Sequence, residues 1–295
     1  MSPISNKKGR RPAFRSRDKG RPAPRDRRPE GDIFRHSRPA GEGWLHGRHA
    51  VLAALANPNR KVRRLVVTPE SFAQYRAEID QAANAAGHNS PRPAPEIRGR
   101  AEIDRLVGDG AAHQGFALQA DLLPELAVED ICRRAADRPQ ARVVVLDQAT
   151  DPRNVGAVLR AAAAFAADAV IMQDRHAPPA GGALAKAASG ALEQVALVRT
   201  VNLARALGLL KDAGFWCVGL DARADSALRE TDLTGKIALV LGSEGEGLRR
   251  LTRDSCDFLA RIPMAEGWES LNLASAAAVA LYEAFGPRPT RKDQR

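Results

Sequence analysis

VVVLDQATDPRNVGAVLRAAAAF, residues 143–165, opens as an apolar run, halts at an acidic residue, crosses a short polar loop and continues as a helix. Val143 to Leu146 form the run and Asp147 ends it. Beyond the loop, Val155, Val158, Leu159, Ala162 and Phe165 recur three and four apart, the spacing of a helix with one buried face. Asn154 stands where a cap is expected, its side-chain oxygen placed to accept a backbone N–H. Arg160 lies off the apolar face. Gly156 costs the helix about 1 kcal/mol against alanine, and the space it leaves would let a ligand or a backbone approach the guanidinium. The plainer alternative is a capped surface helix with a solvent-facing arginine.

The same strand–loop–helix unit repeats downstream. Strand-like runs occupy 143–147, 169–173, 195–199, 215–220, 237–241 and 257–262, with helical patterns between them. Near-continuous apolar strands alternating with helices imply an α/β domain whose parallel sheet is covered on both faces. Ligands of such sheets bind beyond the carboxyl ends of the strands. Chemistry is therefore expected in the loops 147–154, 242–247 and 263–272.

Upstream the pattern changes. Residues 1–42 read as a disordered basic tail rich in Arg, Pro and Gly. Residues 43–124 read as a small α/β domain, with helices in HGRHAVLAALANP, 72–86 and 103–107 and strands at 62–68 and 115–121. The Pro-rich NSPRPAP (89–95) reads as a loop. A linker helix in 125–140 leads to the large domain, 141–286, and residues 287–295 form a short C-terminal tail.

Charge is concentrated at one end. Of the net charge of +10, residues 1–40 contribute +9, from 13 Lys/Arg against 4 Asp/Glu. Such a segment cannot bury enough apolar surface to order itself. It reads as a solvated leader or, more sharply, as an RNA-binding arm, because clustered arginines release counterions from a polyphosphate. Its acids and its lack of an amphipathic apolar face argue against a transit peptide. No stretch is long and apolar enough for a membrane span. Cys132, Cys217 and Cys256 are odd in number and not in CxxC spacing, which points to a reducing, cytoplasmic setting and to buried spectator thiols rather than disulfides or zinc.

The second loop lies in LVLGSEGEGL (239–248), after a strand and before a helix. It is neither GxGxxG nor a P-loop, and its serine is not in GxSxG. Glu244 and Glu246 make it acidic, which suits an amine, a sulfonium cation or ribose hydroxyls better than a phosphate. In the third, IPMAEGWESLNLASAAAVALYEAF (262–285), Ser270 is expected to start a helix with a core face of Leu271, Ala274, Ala278 and Leu281. Asn272 would sit off that face near the positive helix end. His46 and His49, three apart without a carboxylate or thiol partner, read as surface or RNA contacts rather than metal ligands. His176 lies in a Pro-rich loop without a visible partner.

Taken in order, the three loops resemble the motifs of the SpoU/TrmH family of RNA ribose 2′-O-methyltransferases, within the SPOUT superfamily. Asn154, Ala157 and Arg160 match N-x-x-A-x-x-R; Leu241, Gly242, Glu244 and Gly247 match L-G-x-E-x-x-G; Ile262-Pro263-Met264 and Ser270-Leu271-Asn272 match I-P-M and S-L-N. KAASGALE (186–193) is similar to the segment between the first two motifs. GRHAVLAAL and HQGFALQA (113–120) resemble the small substrate-binding domain of the RlmB-like branch, which methylates a guanosine of 23S rRNA. The chain departs from the family at Leu273-Ala274-Ser275, where V-S-V is usual, and at Glu266–Glu269, where the loop often reads G-S-V-S.

The resemblance implies a deep C-terminal trefoil knot, a homodimer and S-adenosylmethionine as cofactor, with no metal. It implies that Leu241, Gly242, Gly247, Ile262, Met264 and Leu271 hold the cofactor. It places Arg160 against the 2′-hydroxyl, has Asn154 position Arg160 or the ribose, and has Asn272 and Ser270 complete the catalytic pocket. Arginine stays protonated and is a poor base, so Arg160 would steady a phosphate and a developing alkoxide. Water, an RNA phosphate or Glu244 is left to accept the proton. The same chemistry on tRNA and a catalytically silent RNA-binding assembly factor remain as alternatives.

Overall fold

A computed structural model describes residues 43–87, 90–108, 110–175, 177–268 and 270–286. The basic tail, His176, Glu269 and the C-terminal tail lie outside the described residues.

The first unit is a small mixed sheet with helices. In chain order it comprises β1 (Trp44–His46), α1 (Arg48–Ala56), β2 (Val62–Val67), α2 (Pro69–Ala85), β3 (Pro95–Ile97), α3 (Arg100–Val107) and β4 (Phe116–Ala120). Its sheet runs β1-β4-β2-β3, antiparallel except for the β2–β3 pair. Two short strands were not expected. Pro95 opens β3, which lies at the sheet's edge, where a missing N–H costs no ladder bond. The helix expected from residue 72 starts at Pro69, because Thr68 caps it by accepting from Ser71 N at 3.3 Å.

After α4 (Val128–Ala135) comes the large unit: β5 (Ala141–Leu146), α5 (Pro152–Ala164), β6 (Ala169–Gln173), α6 (Gly182–Ala188), a 3₁₀ turn (Ala191–Glu193), β7 (Ala196–Thr200), α7 (Leu203–Asp212), β8 (Trp216–Leu220), a second 3₁₀ turn (Leu228–Glu230), β9 (Lys236–Leu241), α8 (Arg250–Asp254), β10 (Phe258–Ala260) and α9 (Leu273–Phe285). The sheet is wholly parallel in the order β10-β8-β9-β5-β6-β7, as the alternating pattern predicts. Period-two alternation divides its side chains. Val144, Leu146, Leu239 and Leu241 face one core with α5, α6 and α9; Val143, Val145, Ala238 and Val240 face another with α4 and α7. The first core continues into the small unit through Leu45, Val51, Leu55 and Phe116.

Two features of topology position the site. The chain leaves β5 toward β6 and β7, then returns to place β9 beside β5, so the ends of β5 and β9 form a switch point. The segment between β8 and β9 also bonds to the chain leaving β10: Asp221 N donates to Ala260 O at 3.0 Å, Leu228 N to Arg261 O at 2.9 Å and Arg261 N to Ser226 O at 2.9 Å.

Of the two readings of Gly156, a ligand or a backbone in the space it leaves, the structure bears out the backbone. Gly156 is buried, and an added Cβ would lie 2.8 Å from Ala187 C and 2.9 Å from Ala188 N. The missing side chain admits the backbone of α6, not a ligand. No helix among the described residues is long and apolar enough to cross a membrane.

Candidate active site

Asn154 does not cap α5. Asp151 does, accepting from Arg153 N at 2.8 Å with Pro152 as the first helical residue. That shift of three residues puts Asn154 inside the first turn and leaves its amide to reach across the switch point. Asn154 Nδ2 donates to Glu244 Oε1 at 2.8 Å.

Glu244 belongs to the loop after β9. Ser243 and Gly247 exchange hydrogen bonds at 3.2 and 3.0 Å, closing the loop on itself. A Cβ at Gly242 would collide with the Gly247 backbone, so only glycine lets the loop fold back so tightly. The base of the loop is fixed by Asp147, fully buried at the end of β5. Asp147 N donates to Leu241 O at 2.8 Å, while its carboxylate accepts from Arg249 N at 3.1 Å and pairs with the Arg249 guanidinium at 2.6 Å.

The third motif joins the same carboxylate. Asn272 Nδ2 donates to Glu244 Oε1 at 2.7 Å and to Asn154 Oδ1 at 3.2 Å, and Leu273 N donates to Glu244 Oε1 at 3.2 Å. Asn272 is itself the cap of α9, its Oδ1 accepting from Ala274 N at 2.9 Å and Ser275 N at 3.4 Å. The helix therefore starts three residues later than expected from Ser270, and its buried face is Leu273, Ala277, Ala280 and Leu281. One oxygen of Glu244 thus gathers three loops that are 90 and 28 residues apart in the chain.

The other expected site residues divide. Ile262, Met264 and Leu271 are half-buried along the segment leading to Asn272, and Gly242 and Gly247 form the tight loop. The Leu241 side chain is buried in the core, with its carbonyl taken by Asp147. Ser270 is exposed and is not among the residues joined to Glu244. Arg160 is exposed, six residues beyond Asn154, which on a helix of about 3.6 residues per turn turns it roughly 120° away. It lines a cleft with Arg153 and Lys186, facing the small unit. Among the described residues no hydrogen bond joins it to the Asn154–Glu244–Asn272 cluster, so within one chain the arginine and the cluster occupy different walls.

One further expectation changes. His46 is buried rather than on the surface, and its Nδ1 has no hydrogen-bond partner among the described residues. Burial, then the charges of Lys186 and His113, push its pKa below the ordinary histidine value. Burial also pushes the thiols of Cys217 and Cys256 up to about 12, so both are protonated and unreactive at neutral pH. Among the described residues no group of His, Cys, Asp and Glu is arranged to hold a metal ion. Sequence reasoning missed the Asp147–Arg249 anchor. Its only signal was an acidic residue ending an apolar strand.

Residues 141–282 match the model of the SpoU rRNA Methylase family, and residues 44–126 match that of the RNA 2′-O ribose methyltransferase substrate-binding domain. The chain is 38% identical over 247 residues to the 23S rRNA (guanosine-2′-O-)-methyltransferase RlmB of Xylella fastidiosa, covering 82% of this chain and 95% of that one. It is also 38% identical over 247 residues to an uncharacterized tRNA/rRNA methyltransferase of Synechocystis, again covering 82% of this chain but only 62% of the relative's length. Among solved structures, the SpoU methyltransferase AviRb of Streptomyces viridochromogenes, crystallised with AdoMet, superposes with a TM-score of 0.66 at 25% identity, covering 83% of this chain and 90% of that one.

Proposed function

The chain belongs to the SpoU rRNA methylase family, and from that premise we propose that it transfers a methyl group from S-adenosylmethionine to the ribose 2′-oxygen of a guanosine in 23S rRNA. The observation that carries this reading is the convergence of Asn154, Asn272 and Leu273 N on Glu244 Oε1, at the carboxyl ends of adjacent strands. A 2′-hydroxyl acceptor makes RNA the substrate.

The residues present suit the cofactor. The acidic 242–247 loop complements a sulfonium and ribose hydroxyls, and the half-buried Ile262, Met264 and Leu271 offer apolar contact to an adenine. When bound, the cofactor supplies an electrophilic methyl group. The protein's part is orientation and electrostatics. The backbones of Gly242, Ile262 and Leu271 hold the adenosine. Glu244 orders the three loops through Oε1, which accepts three donors. Arg160 grips a phosphate and steadies the developing alkoxide, and the proton passes to water or to an RNA phosphate. Asn154 acts through Glu244 rather than through Arg160, and Ser270 sits at the pocket's edge.

Four finer features belong to the same proposal. The chain beyond β10, bonded under the 221–228 segment, forms a trefoil knot with α9 drawn through the loop; the bonds of Ala260 and Arg261 to that segment support it. The working protein is a homodimer, supported by the exposed Val279 and Tyr282 on α9, and a partner's wall would bring Arg160 to a Glu244 cluster. The basic tail is an RNA-gripping arm, and the setting is cytoplasmic, where ribosomal RNA is found. Calorimetric titration with S-adenosylmethionine tests the enzyme reading. Saturable binding that Gly242→Ala abolishes supports it; no binding by the intact chain marks a silent RNA-binding factor instead.

A further inference from the structure

A second carboxylate cluster lies where the small unit meets the large one. Glu193 ends the 3₁₀ turn after α6. Its Oε2 accepts from Asn57 Nδ2 at 2.7 Å and Arg60 Nε at 3.3 Å, and its Oε1 from Arg60 Nη2 at 2.5 Å. The Arg60 and Glu193 side chains are only 4% and 6% exposed. A buried ion pair persists only when its geometry is good and its remaining donors are satisfied. Both conditions hold, because Arg60 Nη1 also donates to Asp121 O at 2.9 Å.

The small unit holds this clasp firmly. Arg92 donates to Leu55 O and Asn57 O at 2.6 Å each and to Arg60 O at 3.0 Å, tying down the end of α1 from which Asn57 and Arg60 project. The backbones then meet closely. A Cβ on Gly182 would lie 2.8 Å from Trp44 O, and one on Gly190 would lie 2.7 Å from Ala53 Cβ. The joint is thus packed and bonded, not a loose tether.

This joint sets the spacing of a functional surface. A cleft of about 600 Å³ lies between Arg153, Arg160 and Lys186 on the large unit and Val107, Ala111 and Ala112 on the small one. Arg160 and Lys186, beside an Arg153 that is paired with Asp151 at 3.0 Å, face small apolar residues and suit a ribose–phosphate strand: the charges reach phosphates and the low wall lets the backbone approach. α6, which carries Lys186, leads directly into the turn that carries Glu193.

We infer that Glu193 is a positioning residue for the RNA substrate: by clasping Asn57 and Arg60 it holds the small unit against α6 and fixes the width of the cleft that presents Arg160. This rests on the methyltransferase reading for its consequence, though not for its geometry. Glu193 touches no reacting group. It acts through the spacing of two walls that must both meet the RNA.

The test measures amide hydrogen exchange, 23S rRNA affinity and steady-state methyl transfer on the full chain, with Glu193→Gln as the first variant. The expected result is faster exchange that is greatest in residues 48–57 and 182–193, rRNA binding and KM weakened at least fivefold, and kcat and S-adenosylmethionine affinity within twofold of the parent. A paired Arg60→Met, Glu193→Met variant, which fills the same space without charge, should close the joint again and restore rRNA affinity. Unchanged exchange in Glu193→Gln would overturn the inference, since the carboxylate would not be what holds the joint. So would faster exchange with unaltered rRNA affinity, or a parallel loss of cofactor affinity and kcat, which marks a merely structural role. A parent chain that methylates no RNA would refute the enzyme reading alone, leaving exchange and rRNA affinity to judge the clasp.

Discussion

Glu244 and Glu193 each gather donors from distant parts of the chain, but in opposite surroundings. Glu244 is exposed at the strand ends and collects two amide side chains and a backbone N–H. Glu193 is buried between two units and collects an amide and a guanidinium. Burial turns the same carboxylate chemistry into a joint in one place and leaves it available to a ligand in the other. A charge in water contributes little to stability; a buried charge that loses its partner is expensive.

Breaking the buried pair is expected to have the largest effect. Arg60→Ala strands the Glu193 carboxylate and should cost about 3–5 kcal/mol, lowering the melting temperature by about 10 °C in a chain of this size; thermal unfolding followed by circular dichroism checks it. Next comes Arg160→Ala, which removes an exposed cation that holds no hydrogen bond or ion pair among the described residues. Methyl transfer should fall about 100- to 1000-fold with melting temperature and S-adenosylmethionine affinity unchanged, as measured by turnover, unfolding and calorimetry.

Much of this contrast could be read from the chain and some of it could not. The parallel sheet followed from six apolar runs separated by helical spacing, because burial on both faces leaves a pattern in each strand. The three loops followed from the rule that chemistry gathers at carboxyl ends. Strand order did not follow, since nothing in β9 states that it lies between β8 and β5. Asn154 was misplaced as a cap because Asp151-Pro152 offered an equally good start three residues earlier. His46 was misplaced on the surface because its burial comes from α6, remote in sequence. Glu193 and Arg60 are 133 residues apart, and no local pattern links them.

Smaller effects sharpen the comparison further. Gly156→Ala sets a methyl group against the α6 backbone and should destabilise by about 1–3 kcal/mol, readable in a urea midpoint; an unchanged midpoint would restore a ligand-facing role for that glycine. Smallest in stability is Glu244→Ala. Its exposure predicts a change within about 0.5 kcal/mol, yet the loss of the common acceptor of three loops should lower methyl transfer at least tenfold, by about 1.4 kcal/mol. A large loss of stability there would mean that Glu244, like Glu193, is part of the framework.

Mapping of 2′-O-methylated nucleotides in 23S rRNA, from cells with and without this gene, tests the central claim most directly. One guanosine should lose its methyl group when the gene is removed, regain it with the parent chain and fail to regain it with Arg160→Ala. An unchanged methylation map, or full restoration by Arg160→Ala, would contradict the account.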